Sequence, residues 1–122
     1  MYKMVDFERI ELSPEEIEQQ RIVSESSARE RIKSLILEAV QVRLDDFART
    51  RNYDNIMSAC TYATDTDATF SADGQYCVAS RGATWRKLSE ILGEVTAGIR
   101  PEPTCYADIE PELPALNWPD WI

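Results

Sequence analysis

The residues of this chain best suited to chemistry are few, and their spacing argues against most enzymes. There is no histidine, which removes the commonest general base, the commonest zinc ligand and every Ser-His or Cys-His nucleophile pairing. The three cysteines, Cys60, Cys77 and Cys105, stand 17 and 28 residues apart. That spacing matches neither a Cys-x-x-Cys pair nor a secreted disulfide framework, so reduced thiols in an intracellular protein are expected. Cys60 and Cys77 fall on apolar faces, where a free cysteine packs as a small hydrophobe.

Acidic groupings are the remaining candidates. Asp65-Thr66-Asp67 with Asp73 places three carboxylates within nine residues, but the glycine and terminal glutamate of a calcium loop are missing, so Asx turns and helix capping explain them better. Asp45-Asp46 and the pair Glu110 and Glu112 have no base or nucleophile converging on them in sequence, and solvated surface is the default. A hydrolase using carboxylates alone would need two acids about 5–10 Å apart across a cleft, and nothing in the sequence marks one. The expectation is a non-enzymatic chain with no catalytic residue, no metal site and no cofactor.

The ending Trp118-Pro119-Asp120-Trp121-Ile122 is different in kind. Two indoles and an isoleucine at an acidic chain end either latch onto the protein's own core or fill a partner's pocket. The self-latch is preferred because short apolar tails usually dock. Trp118, Trp121 and Ile122, with Ile32, Leu35 and Ile36 on the longest helix, are the candidate partner-binding residues.

The elements that must position these groups follow from patterning. A loosely alternating arm over residues 1–12 is followed by Ser13-Pro14-Glu15-Glu16, a capping box with proline at the first helical position. Ile17 to Ser27 is nearly all polar, and Ala28 to Phe47 carries apolar residues at spacings of three and four. One helix over residues 14–48 would outreach a small domain and suit oligomerisation, whereas a break near Ser24-Glu25-Ser26-Ser27 would divide it. Tyr53, Ile56, Met57 and Cys60 share a face of a second helix of about ten residues. A loop over Thr64–Ala72 leads to a third helix starting at Asp73-Gly74, with Cys77, Trp85, Leu88, Leu92 and Val95 inward, Trp85 as the largest core side chain and Gly98 as a left-handed cap before Pro101. Beyond it lie five of the six prolines, and the expectation is an extended strap with one short turn between Thr104 and Pro111.

Mass and charge bound the rest. At 122 residues and a net charge of −9, one modest core is expected, and binding to nucleic acid or an anionic membrane is disfavoured. Residues 101–122 hold five acids and no base, against seventeen acids and thirteen bases in the other hundred residues. The helical body is therefore nearly balanced. The amino terminus resembles no signal peptide and no stretch approaches a membrane span.

A resemblance adds to this reading. Arg51-Asn52-Tyr53-Asp54 through Ser58-Ala59-Cys60-Thr61-Tyr62-Ala63, then Phe70, Asp73-Gly74-Gln75, Ala83-Thr84-Trp85, Glu94-Val95-Thr96-Ala97-Gly98, Arg100-Pro101, Glu112-Leu113-Pro114 and Trp118-Pro119, are similar to a family of small tailed-bacteriophage and prophage proteins encoded beside tail-fibre genes. The likeness spans residues 47–119, and Glu11-Leu12-Ser13-Pro14-Glu15-Glu16 resembles the start of a polar helix in tail-fibre assembly chaperones. It implies a fibre assembly chaperone in the host cytoplasm or a small component retained in the virion tail. The implied partner is a tail or tail-fibre protein, and self-association as a trimer would suit such fibres.

The expected architecture is thus mainly α. Residues 1–48 form an arm and long helix for oligomerisation or partner binding, and residues 49–122 a helical domain closed by a proline-rich strap. The rival function is an acidic phage inhibitor that mimics nucleic acid to block a host defence enzyme. Mimicry calls for a continuous face of carboxylates, whereas bases interleave with the acids outside the strap.

Overall fold

A computed structural model describes residues 14–121, apart from the side chains of residues 16, 20–24 and 26. The amino-terminal arm, the Ser13 cap with the Glu16 side chain that would complete its capping box, and Ile122 lie outside the described residues. The protein is mainly helical, with no strand among the described residues. Helix α1 runs Pro14–Arg49, α2 Ile56–Cys60 and α3 Ala68–Thr96. A 3-10 turn at Thr61–Thr64 follows α2, and two more, Tyr106–Asp108 and Glu110–Glu112, interrupt the proline-rich segment. No described helix is long and apolar enough to cross a membrane.

The chain divides into two compact units, residues 1–34 and 35–122. The boundary falls inside α1, ahead of Ile36, Val40, Leu44 and Ala48, which are buried in the second unit's core. The first unit's helix exposes Ile17 and pairs Arg29 with Glu25 one turn away at 3.9 Å. Assignment as helix is continuous through Ser24–Ser27.

In the second unit the core combines that row of α1 with Tyr53, Ile56 and Ala59, with Cys77, Leu88 and Ile91 of α3, and with Ile109 and Leu113 beyond it. Both long helices end in the same device. Asn52, at φ 71°, lets the Tyr53 N–H reach the Ala48 carbonyl and its own N–H reach that of Arg49. Gly98, at φ 77°, does the same for Ile99 to Glu94 and for itself to Val95. These are Schellman endings, which need a residue tolerant of left-handed backbone.

Several expectations are corrected. The second helix begins at Ile56, where the Asn55 side chain accepts from the Ser58 N–H, so Tyr53 lies in the connection and Met57 is exposed. The third begins at Ala68, capped by the Asp67 carboxylate on the Phe70 N–H, five residues before Asp73. Its inward face is Asp73, Gly74, Cys77, Ser80, Thr84, Leu88 and Ile91. Trp85 and Leu92, one residue off that face, are only half-buried. Gly74 sits where α3 crosses the backbone of Tyr62 and Ala63, with no room for a Cβ.

Candidate functional site

The densest polar arrangement centres on Asp73, on the inner face of α3 and only 1% exposed. One carboxylate oxygen accepts from Arg51 at 2.5 Å. The other accepts from the Tyr53 hydroxyl at 2.9 Å and the Trp121 indole N–H at 3.1 Å. Arg51 and Tyr53 flank the left-handed Asn52, so the ending of α1 aims both side chains at α3. A buried carboxylate is held at acceptable cost only with such partners.

Arg51 carries the grip onward. Its other terminal nitrogen donates to the Pro119 carbonyl at 2.8 Å, and its guanidinium lies 4.8 Å from the Trp118 ring and 4.4 Å from the Trp121 ring. Cation–π contact and bidentate donation favour arginine over lysine here. Trp118 stacks on Phe47 at 4.2 Å and 16°, and its indole N–H donates to the Thr50 hydroxyl at 2.7 Å. Tyr76 lies beside both rings and accepts from the Asn117 N–H at 2.8 Å. Tyr53, Tyr62 and Phe70 continue the aromatic chain at 5.4 Å steps.

Further back, the strap is held by two more arginines. Arg43 pairs with Glu110 at 3.0 Å and donates to the Pro114 carbonyl at 2.7 Å. Arg100 bridges Glu112 and Glu94, which holds the Glu112 carboxyl below its ordinary range, mainly through the hydrogen bond. The expectation of solvated, unpartnered acids at Glu110 and Glu112 is therefore corrected. The base for Glu110 comes from α1, 67 residues away, and the base for Glu112 from the segment just after α3, 12 residues away.

The reactive groups here are fastened. Burial, then the hydrogen bond to Asp73, raises the Tyr53 phenol above its ordinary value. Burial pushes the Cys77 thiol up to about 12, with Cys60 and Asp73 adding and Arg51 opposing. Cys60 is also raised, chiefly by burial. A thiol in that state is a poor nucleophile at neutral pH. The Asp65 carboxylate accepts from the Asp67 N–H and Asp67 caps α3, while Asp73 faces Arg51, so the three do not converge on a cation. No group of three or more metal-ligating residues occurs among the described residues.

Of the candidate partner-binding residues, Trp118 and Trp121 both lie against the Arg51 guanidinium, within the protein's own second unit. Trp121 remains 61% exposed. Ile36 is buried in the core and so turned away from any partner, whereas Leu35 is 58% exposed and Ile32 half-buried. Arg51, Phe47, Tyr76 and Arg43 were not singled out as site residues by sequence reasoning. The strap's five acids without one base were a signal that cations elsewhere must hold it.

Comparison with protein-family models, with curated proteins and with solved structures finds no match.

Proposed function

We propose that this chain is a non-enzymatic, protein-binding component of a tailed bacteriophage. It acts in tail-fibre assembly as a chaperone in the host cytoplasm, or stays as a small component of the virion tail. The observation that carries this reading is the clasp around Asp73. Arg51, Tyr53, Asp73, Trp118 and Pro119, five residues that bear the resemblance to the phage family, meet there. Each is engaged in closing the strap over the helical body. A carboxylate already accepting from three donors, beside a phenol held neutral, is suited to holding structure rather than to moving protons. That supports a binding scaffold, with the exposed indole of Trp121 and the unburied side of α1 left for a fibre protein.

The test is co-expression of the full chain with the tail-fibre protein encoded beside it. Soluble, assembled fibre obtained only in its presence supports the chaperone role, and its recovery in the mature particle supports the virion role. Fibre that assembles equally well without the chain, together with no co-purification, refutes both.

A further inference from the structure

Where the chain turns from α2 into α3, backbone meets backbone. The Ala63 carbonyl accepts from the Ser71 hydroxyl at 3.0 Å and from the Gln75 side-chain amide at 3.2 Å, so Ala63 lies opposite Gly74. The two segments run antiparallel there. Three residues back from Ala63 is Cys60, and three residues on from Gly74 is Cys77, so the two cysteines face each other one turn from the crossing. Their electrostatics agree with that register. Beyond the main effect of burial, Cys60 raises the Cys77 thiol, and Arg81, one turn further along α3, opposes the rise at Cys60.

A disulfide needs Cα atoms within about 7 Å, whereas packed helices usually hold their axes about 8–10 Å apart, which leaves most facing residues out of reach. The crossing at Gly74 is closer than that, since a Cβ there would stand 2.3 Å from the Ala63 nitrogen. Cys77 is buried and Cys60 half-buried, and both are free thiols. We propose that Cys60 and Cys77 are a disulfide-forming pair, a modification site that oxidation closes into a staple between α2 and α3. Their separation of 17 residues does not announce the pair, and the close crossing does.

The oxidant is a low-molecular-weight disulfide. The Cys60 thiolate, the more open of the two and the one beside Arg81, attacks one sulfur of the oxidant, whose S–S bond breaks to release one small thiolate and leave Cys60 in a mixed disulfide. The Cys77 thiolate then attacks the Cys60 sulfur and expels the second small thiolate. The two protein thiols lose two electrons and two protons, and the oxidant takes up both as two free thiols. Because burial keeps both groups largely protonated at neutral pH, closure is slow there, and the pair stays reduced wherever a thiol pool is maintained. Once closed, the loop restricts the unfolded chain and so favours the folded one. The pairing rests on the α2–α3 crossing alone and is independent of the fibre reading.

Oxidised glutathione added to the folded full chain at about pH 9, where thiolate is more abundant, tests the pairing. Trypsin leaves both cysteines in one peptide, residues 52–81, which has no internal lysine or arginine. That peptide is expected to lose two hydrogens by mass and to resist thiol labelling until it is reduced. Cleavage at Asp65, Asp67 and Asp73, which lie between the cysteines, is expected to leave its two ends joined. Closure is expected to slow about tenfold for each unit by which pH is lowered from there, as the thiolate fraction falls. Cys105→Ser is expected to close equally well, to keep its circular dichroism spectrum, and to unfold at a higher urea concentration than its reduced form. Cys77→Ala is expected to stop at a glutathione adduct on Cys60. The proposal is overturned if the unaltered chain also stops at that adduct, if Cys105 bonds to Cys60 or Cys77 within the chain, or if the 60–77 bond forms only in urea. It is equally overturned if Cys105 reacts to completion while the 52–81 peptide keeps both thiols.

Discussion

Replacing Asp73 by asparagine keeps the side chain's shape and removes its charge, which isolates what the carboxylate contributes. In the native clasp the Arg51 side chain is 17% exposed and Asp73 is 1% exposed. Breaking such a pair from one side costs about 3–5 kcal/mol, because the surviving charge is left buried. Arg51 keeps its bond to the Pro119 carbonyl and the faces of two indoles, and asparagine can still accept from Tyr53, so the lower end applies. The expected loss is about 3 kcal/mol, or about 10 °C in Tm for a chain of this size. Urea unfolding followed by tryptophan fluorescence is the assay, since Trp118 and Trp121 report on the clasp itself. The companion is a cycle with Arg51→Met. With both charges gone no buried ion is unpaired, so the double variant is expected to be more stable than the sum of the single losses by about 1–3 kcal/mol. A loss below about 0.5 kcal/mol for Asp73→Asn, or strict additivity in the cycle, would refute the clasp as the element that holds the strap.

Other outcomes follow from neighbouring contacts. Deleting residues 117–122 removes the Trp118 stack and the Arg51 and Asp73 bonds, and is expected to lower stability by about 3–5 kcal/mol in thermal unfolding; an unchanged Tm with lost fibre binding would show instead that the tail serves a partner. Gly74→Ala forces a methyl against the Tyr62–Ala63 backbone, and a loss of about 1–3 kcal/mol is expected by denaturant titration, with a neutral result contradicting the close crossing. Because the Tyr53 phenol is raised in the fold above its usual 10.0, its contribution is intact below that value and is lost as pH rises toward the folded one. Stability measured between about pH 9.5 and 11.5 is therefore expected to fall, and to fall less in Tyr53→Phe. Thiol labelling of the native protein is expected to reach exposed Cys105 first and buried Cys77 only on unfolding; early labelling of Cys77 would contradict its packing.

Much of the fold was legible because its cause is local. Pro14 at a helix start, the apolar spacing of Ile32 to Phe47 and Gly98 ahead of Pro101 each act within one or two turns of chain. The start of α3 was misplaced for a local reason as well. Asp67 and Asp73 both have capping chemistry, and only the geometry assigns the cap to Asp67 and turns Asp73 inward. The inward face of α3 was misjudged at Trp85 and Leu92 because size and apolarity suggest burial, whereas α3, crossing closely at Gly74, buries Thr84 and Ile91 instead, beside the expected Cys77 and Leu88. The strap's docking was foreseen from its apolar residues, but its anchors were not, because Arg43 and Arg51 lie 67 to 71 positions from the strap groups they hold.

What the amino-acid order alone determined is the helical class, the segregation of acid into residues 101–122 and the lack of histidine chemistry. These are properties of composition and of spacings shorter than two helical turns. The tertiary structure decided that a buried aspartate, an arginine and two indoles from three separate segments form one clasp. Each of those side chains is ambiguous by itself, equally suited to solvent, cap or partner. It is the removal of water around Asp73, possible only once α1, α3 and the strap are assembled, that makes their mutual bonds the favourable choice.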